Sequence, residues 1–225
     1  MKKKIRTFVL GDLHGGYKAL MQVLERSKFD YKKDRLISLG DVADGWPYVT
    51  ECFEELLKIK NFVMVRGNHD EWLLDYLRFE ETPHVWITQG GMNSFESYQR
   101  NPELKDKHRD FLMSTPYFYI DEHGRLYVHG GIKPGANPHN VTPSDLMWDR
   151  DLWNSLEPTH VPGFDTVYVG HTTTWRKSEV PIKRANVWFM DQGGGWEGKL
   201  SLMNVDTEEV FQSDKLSELY PEGHN

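Results

Sequence analysis

The sequence is short of cysteine, and this limits how the chain can be held together. Cys52 is the single cysteine among 225 residues, so the chain can form neither an internal disulfide nor a zinc-thiolate cluster. Long apolar runs are also missing. Only the short run Phe8–Leu10 follows the N-terminal lysines before Gly11, so we expect no signal peptide and no membrane-spanning segment. The expected location is the cytoplasm, or the host-cell cytoplasm if the protein is viral.

The chain also lacks an excess of basic residues and any fixed-period repeat. Its formal net charge of −7 disfavours binding to a nucleic-acid backbone, so we expect no stable nucleic-acid partner and no membrane partner. No low-complexity tract or Pro/Ser-rich linker divides the sequence. With 38% hydrophobic and 13% aromatic residues, the composition supports a sizeable core. We therefore expect a single domain over residues 1–225.

Hydrophobic periodicity alternates short strands with helices in the first part of the chain and becomes strand-rich later. Helical spacing follows the first two strands, in Leu20, Val23 and Leu24 and again from Val49 to Leu57. This order predicts two packed sheets with helices outside them. The predicted strands are Phe8–Leu10, Leu36–Leu39, Phe62–Val65, Tyr117–Ile120, Leu126–Val128, Val167–Val169, Val187–Met190 and Leu200–Met203.

Polar clusters rich in aspartate, histidine and asparagine come directly after five of these strands. Ligands of α/β proteins commonly bind beyond the carboxyl ends of strands, so the clusters are expected to meet on one rim. Imidazole nitrogens and carboxylate oxygens suit divalent metals, and the lack of paired cysteines favours a catalytic over a structural site. Each motif is weak alone, but the ordered set is not expected by chance. The clusters are Gly11–Gly15, Gly40–Gly45, Gly67–Asp70, His129–Gly131 and Gly170–His171.

These five motifs, in this order, resemble the signature of the calcineurin-like metallophosphoesterases. Trp148–Arg150 and Gly170–Thr172 are most similar to the small bacterial and bacteriophage protein serine/threonine phosphatases and their relatives that hydrolyse diadenosine tetraphosphate. The resemblance implies an α/β fold, a four-layer αββα sandwich of two mixed sheets flanked by helices.

The resemblance also implies two divalent metal ions that share and deprotonate a water, so that metal-bound hydroxide attacks phosphorus directly. Manganese is the expected metal, with iron, zinc, nickel or magnesium as alternatives for the same oxygen and nitrogen ligands. By resemblance, Asp12 and His14 hold the first metal, Asp41 bridges both, and Asn68, His129 and His171 complete the second site.

Three further residues take part in catalysis by resemblance. His69 is the general acid that protonates the leaving oxygen, Asp44 orients it, and Arg150 clamps phosphate with its planar fork. Two other residues have equally open roles. Arg66 either binds substrate or forms a structural ion pair, and Trp46 either stacks on substrate or packs in the core.

Other tryptophans and histidines lie at less informative positions. Trp148 and Trp175 have the same two alternatives as Trp46, a substrate groove or the core. The histidines outside the motifs, including His84, His108 and His139, are expected at the surface.

The main departure from the family is Gly45, because relatives usually carry a phosphate-binding arginine there. Either Arg150 carries more of the clamp, or Arg176 or Lys183 reaches in, or the substrate has less terminal charge, as a phosphodiester does. The expected function is hydrolysis of phosphomonoesters, in the manner of a phosphoserine/phosphothreonine protein phosphatase, on a phosphorylated protein or a small-molecule phosphoester. The alternative is a dinucleoside polyphosphate hydrolase or phosphodiesterase. A scaffold with a degraded site is disfavoured, since every proposed ligand is present.

Overall fold

The computed structural model describes residues 5–223 and contains two five-stranded mixed sheets. The first sheet has the order β10-β9-β1-β2-β3 and the second the order β4-β5-β6-β8-β7. The strands within the described residues are β1 (Thr7–Leu10), β2 (Arg35–Ser38), β3 (Asn61–Met64), β4 (Phe118–Ile120), β5 (Leu126–Val128), β6 (Val167–Val169), β7 (Ile182–Arg184), β8 (Val187–Phe189), β9 (Ser201–Asn204) and β10 (Val210–Gln212).

Helices flank the sheets, and in residues 5–223 none is both long and apolar enough to cross a membrane. Between α4 and α5, Ile87–Gly91 forms a kinked turn in which Gln89 and Gly90 leave helical backbone angles. The helices are α1 (Tyr17–Arg26), α2 (Val49–Leu56), α3 (Asn68–Phe79), α4 (His84–Trp86), α5 (Met92–Arg100), α6 (Lys105–Ser114), α7 (Pro143–Trp148), α8 (Asp151–Asn154) and α9 (Leu216–Leu219).

Each sheet contains three neighbouring parallel strands. In the first sheet β1, β2 and β3 run parallel, and β9 and β10 continue it in antiparallel pairing. In the second, β5, β6 and β8 run parallel, with β4 and β7 antiparallel at the two edges. Parallel neighbours end on the same side, so the carboxyl ends of three strands in each sheet lie together.

Alternation along the strands explains the four layers, because successive side chains point to opposite faces. Phe8 and Leu10 of β1 pack in the cluster that contains the apolar faces of α1 and α2. Val9 between them belongs to the cluster shared by the two sheets. Tyr127 and Tyr168 stack in that same layer with ring centroids 4.9 Å apart. The four-layer αββα arrangement expected from the sequence is confirmed.

Two strands were not expected from the sequence, β7 and β10. Both lie at sheet edges and pair with one neighbour only. Their residues are half-buried or exposed, so neither presents the buried apolar run by which the other strands are recognised. One histidine expectation is wrong as well. His108 is buried, with Nδ1 2.8 Å from the Tyr98 hydroxyl and Nε2 2.9 Å from Glu54, whereas His84 and His139 are exposed.

Candidate metal centre and active-site cleft

The loops after the six parallel strands bring acidic, histidine and asparagine side chains to one end of the two sheets. A buried carboxylate or imidazole in this position needs a partner, since an unpaired buried polar group is costly. The residues that follow the strands are Asp12 and His14 after β1, Asp41 and Asp44 after β2, Asn68 and His69 after β3, His129 after β5, His171 after β6, and Asp191 after β8.

Asp41 lies at the centre of this group. Its Oδ2 is 3.6 Å from His14 Nε2 and 3.2 Å from His129 Nε2. One set of potential ligand atoms joins Asp41 with His14 and His69, and a second joins it with His129 and His171. Within each set the atoms lie within 4.8 Å of one another. Because one carboxylate belongs to both sets, the geometry fits a pair of cations that share a ligand.

Two orphaned atoms support the same conclusion. Asp12 Oδ1 and His171 Nε2 are buried and have no hydrogen-bond partner within the described residues. The other oxygen of Asp12 accepts the backbone N–H of His171 at 2.9 Å, so the carboxylate is fixed with one oxygen left over. Asn68 Oδ1 lies 3.1 Å from His129 Nε2. An oxygen-and-nitrogen donor set with unsatisfied lone pairs fits divalent metal ions.

The pKa values of His14 and His171 differ from that of His129. Burial lowers the pKa of both His14 and His171 to about 3, which keeps their imidazoles neutral and able to donate a lone pair. Burial also lowers the pKa of His129, but the Asp41 carboxylate outweighs it and raises the value to about 10. His129 Nδ1 lies 2.7 Å from the Leu39 carbonyl, which directs Nε2 towards Asp41. A cation that binds at this Nε2 must therefore displace a proton.

The loop that carries Asp41 is fixed by hydrogen bonds to the carboxylate of Asp70, a residue to which sequence analysis gave no role. The Asp70 carboxylate accepts backbone N–H groups from Asp41 at 2.7 Å, Val42 at 2.9 Å, Ala43 at 3.1 Å and Gly67 at 3.0 Å. Burial, with the nearby Asp41 charge, raises the pKa of Asp70 to about 7. A single carboxylate thus ties the loop after β2 to the loop after β3.

The backbone at the site is strained. His14, Asp41, Asp44 and His171 have φ values of 47°, 48°, 69° and 61°, in the left-handed region that residues with a Cβ seldom adopt. Each costs on the order of 1–2 kcal/mol. Strain of this kind persists where surrounding contacts fix the conformation, and four of the eight non-glycine residues with positive φ among residues 5–223 lie in these loops.

His69 and Asp44 form a hydrogen-bonded pair beside the centre. His69 Nδ1 is 2.7 Å from Asp44 Oδ2, so a carboxylate acceptor leaves Nε2 of the ring for another partner. Burial lowers the pKa of His69, but the Asp41 and Asp44 carboxylates outweigh it and raise the value above the ordinary one. The protonated imidazole is thus favoured, as an acid at this position requires.

An open cleft of about 1030 Å³ lies over these residues. Within the described chain, Arg150 is the one arginine or lysine that lines it. Arg150 is exposed. The two other cations considered lie elsewhere, since Arg176 covers the Trp175 ring at 5.3 Å and Lys183 pairs with Glu208 at 2.6 Å. Neither supplies the clamp in this structure.

Comparison with known proteins matches this geometry. Residues 5–193 fit the family model described as calcineurin-like phosphoesterase. The chain belongs to this family. It is 26% identical to serine/threonine-protein phosphatase 1 of Salmonella typhimurium, over 88% of this chain and 91% of that protein. It is 36% identical to the symmetrical bis(5'-nucleosyl)-tetraphosphatase of Coxiella burnetii, over 79% of this chain and 58% of that one.

Solved structures agree on the fold. A proposed diadenosine tetraphosphatase superposes with a TM-score of 0.71 at 16% identity, covering 94% of both chains. A cold-active protein-tyrosine phosphatase from a Shewanella species superposes with a TM-score of 0.63 at 16% identity, covering 93% of this chain and 78% of that one. The phosphoesterase therefore shares its architecture with proteins that carry different substrate names.

The structure gives a reason for Gly45 in this phosphoesterase. Its φ is 72°, and a Cβ there would lie 2.7 Å from the His14 Cβ. With a Cβ this close, either His14 or the backbone at position 45 would have to move. His14 is fixed by a 3.1 Å contact between its Nδ1 and the Ala43 carbonyl. An arginine at this position would therefore need a different loop conformation.

Trp46 and Arg66, the two residues with open roles, are both structural. For Trp46 the structure favours the packing alternative, although the residue also borders the cleft. Its side chain is 1% exposed, donates Nε1–H to the Gly194 carbonyl at 2.8 Å, and stacks on Tyr220 with centroids 4.8 Å apart. Arg66 is buried and forms the ion pair with Glu71, at 2.8 Å, which excludes the substrate-binding alternative.

Sequence analysis missed two residues that line the cleft. Asp191 follows β8 and accepts the Gly193 N–H at 2.8 Å, and burial raises its pKa to about 6. The run Asp191–Gly195 has the form of the other clusters, an acid beside glycines after a strand, and could have been found by that signal. Trp196 is 61% exposed at the rim. Trp148 also lines the cleft, 40% exposed, whereas Trp175 does not.

Proposed function

We propose that this phosphoesterase hydrolyses phosphomonoesters at a centre of two divalent metal ions held by the six predicted ligands. The observation that carries the proposal is the position of Asp41 in both ligand sets. When bound, the two ions lower the pKa of a shared water and neutralise charge on the phosphoryl oxygens. Asp12, His14, Asn68, His129 and His171 are proposed to hold them alongside Asp41.

The chain's own groups carry the remaining steps. Arg150 is proposed to bind two phosphoryl oxygens, because it is the single arginine or lysine among residues 5–223 that lines the cleft. His69 is proposed to protonate the leaving oxygen through Nε2, since Nδ1 is occupied by Asp44. Proton transfer of this kind contributes about 10²- to 10⁴-fold to the rate.

A protein phosphoserine or phosphothreonine is the first candidate substrate. Similarity to the Salmonella phosphatase covers nearly the full length of both chains, whereas this chain spans 58% of the Coxiella tetraphosphatase. We propose manganese as the metal and the cytoplasm as the location, and the single-domain expectation remains a prediction.

A second candidate, a dinucleoside polyphosphate or another phosphodiester, is favoured by specific observations. Gly45 leaves Arg150 to bind the phosphate alone, which suits a group with fewer terminal charges. Trp148 and Trp196 are the two tryptophans that are exposed in the described chain, and both line this cleft. Flat, exposed rings of this kind can stack on a nucleobase.

The two candidates differ in which esters are turned over. Steady-state kinetics of the manganese-loaded enzyme would compare para-nitrophenyl phosphate, its bis-ester, a phosphoserine peptide and diadenosine tetraphosphate. We expect the highest kcat/KM on the phosphopeptide and low activity on the bis-ester. A clear preference for the dinucleotide or bis-ester would replace the first candidate by the second, and inactivity on all four with two metals bound would refute both.

Metal analysis provides the independent test. Mass spectrometry of the metal content should give two ions per chain after loading with manganese and gel filtration. One ion per chain would contradict the shared-ligand arrangement. Repeating the assays with zinc, iron, nickel and magnesium would show which metal supports turnover.

A further inference from the structure

The carboxylate of Asp44 is bound by more than His69. Trp86 donates Nε1–H to both carboxylate oxygens at 2.9 Å. Ser94 donates its hydroxyl to Oδ1 at 2.6 Å, and the same hydroxyl accepts the backbone N–H of Asp44 at 2.9 Å. His69 takes the remaining direction at Oδ2. A fully buried carboxylate is thus held by three side-chain donors.

The two additional donors come from a segment outside the five motifs. Trp86 ends α4 and Ser94 lies in α5, with the kinked turn between them. Trp86 is fully buried and packs on Tyr76 at 5.3 Å between centroids. A Cβ on Gly91 would lie 2.6 Å from the indole, so this turn needs glycine to let the ring approach. The conformation of the turn between α4 and α5 therefore depends on the close packing of the Trp86 ring against Gly91.

The alternative is that Trp86 is only a packed core residue. Packing alone does not require its N–H to face a carboxylate, and the described chain provides a contrast. Within residues 5–223, the Nε1–H of Trp188 is buried and has no hydrogen-bond partner. An indole has one donor and no acceptor, so Trp86 fixes the carboxylate as an acceptor. This leaves one geometry for the hydrogen bond to His69.

We propose that Trp86 and Ser94 are positioning residues that hold the Asp44 carboxylate so that His69 presents Nε2 to the leaving-group oxygen. The inference rests on the proposed function, in which His69 is the general acid. Positions in such an arrangement are sensitive, because an error of about 1 Å in catalytic geometry can cost about 10²-fold. The effect should be confined to esters whose leaving group needs a proton.

The test compares two aryl phosphates with the manganese-loaded enzyme. Phenolate is a poor leaving group that needs protonation, whereas 2,4-dinitrophenolate leaves without it. For Trp86→Phe we expect kcat on phenyl phosphate to fall about 10- to 100-fold with KM changed less than about 2-fold. The same variant should lose less than about 3-fold on 2,4-dinitrophenyl phosphate, because the general acid adds little there. Ser94→Ala should show the same selectivity, more weakly, and it carries the test if Trp86→Phe does not fold.

Trp188→Phe is the matched control, because it makes the same chemical change where no hydrogen bond is lost. It should leave the ratio of the two rates unchanged. Equal losses on both esters in Trp86→Phe, or no loss on either, would overturn the proposal by showing a merely structural role. His69→Asn separates this failure from failure of the proposed function. If His69→Asn itself shows no selectivity between the esters, the acid assignment is wrong; if it alone shows selectivity, only the positioning role is wrong.

A measurement on metal-free protein gives a second readout. The Nδ1–H proton of His69, bonded to a carboxylate, should appear far downfield in the proton NMR spectrum. In Trp86→Phe this resonance should move upfield or broaden through faster exchange, and in Trp188→Phe it should stay in place. An unmoved resonance in both Trp86→Phe and Ser94→Ala would contradict the proposal.

Discussion

The floor and the rim of the cleft differ in how their side chains are held. Floor residues are buried or half-buried, and four of them, His14, Asp41, His129 and His171, belong to the two ligand sets that share Asp41. Rim residues are exposed, and they meet whatever enters the cleft. If the proposed function holds, we expect the floor to set the reaction and the rim to set the substrate. The floor consists of Asp12, His14, Asp41, Asn68, His129 and His171, and the rim of Trp148, Arg150 and Trp196.

The strongest test of the floor is Asp41→Asn, which keeps the shape of the side chain and removes its charge. Both ligand sets lose their shared carboxylate, so we expect loss of both metals and a fall in kcat/KM on the order of 10³-fold or more. Metal analysis and steady-state kinetics check this result. Asp165→Asn, at an exposed position, is the control. Two retained metals with full activity would remove Asp41 from the centre of the site.

Arg150→Ala tests the rim. Loss of charge-assisted hydrogen bonds worth about 1.5–3 kcal/mol should weaken substrate binding about 10- to 100-fold, with two metals retained. Kinetics on para-nitrophenyl phosphate measure the change. Arg176→Ala, a surface arginine outside the cleft, should have no effect. If loss of Arg150 instead removed the metals, the division between floor and rim would fail.

The pH dependence of metal-free stability tests the charge on the floor. His129 has a folded-state pKa of about 10 against 6.5 as the ordinary value, so folded protein holds a proton that unfolded protein releases. The stabilisation is complete below about pH 6.5 and is lost as pH rises towards 10, with a slope of at most about 1.4 kcal/mol per pH unit. Thermal unfolding in chelator from pH 7 to 9 should show a falling Tm. His129→Gln should flatten this slope, and a flat profile in the parent protein would contradict the assignment.

The smallest expected effect is that of Trp196→Ala. If the exposed indole contacts an aromatic leaving group, its loss should lower kcat/KM on para-nitrophenyl phosphate about 2- to 10-fold. Turnover of free phosphoserine should stay the same, since no ring is present to stack. Phe79→Ala, also exposed but outside the cleft, controls for loss of surface area. An equal fall on both substrates would show that Trp196 does not discriminate between them.

The sequence predicts the floor residues and Arg150, but not which aromatic residues near the cleft are buried. Buried parallel strands give clear apolar runs, and each floor residue stands a few positions after one. Trp46 illustrates the limit. It stands two residues after Asp44, yet its burial depends on Tyr220, which lies 174 positions further along the chain. No local pattern reports such a contact.

The residues that hold the catalytic side chains in place could not be predicted either, because they are distant in sequence. Trp86 and Ser94 reach Asp44 from 42 and 50 positions away, and nothing in their own stretch marks them as partners of a carboxylate. Asp70 stands within a motif, but the sequence did not predict that its carboxylate accepts four backbone hydrogen bonds. Gly45 was recognised as a departure, while its close approach to His14 could be found only from coordinates.

The left-handed backbone at His14, Asp41, Asp44 and His171 lowers the stability of the fold at residues that the proposed activity needs. Glycine adopts such angles freely, so its introduction there would relieve strain while it deletes the functional side chain. The relief is clearest at His171, whose Nε2 is buried without a hydrogen-bond partner among the described residues, whereas glycine at Asp44 would leave the donors of Trp86 and Ser94 unpaired. A library screened for heat resistance alone would therefore enrich inactive clones at His171, and this codon should be kept fixed in any effort to stabilise the enzyme.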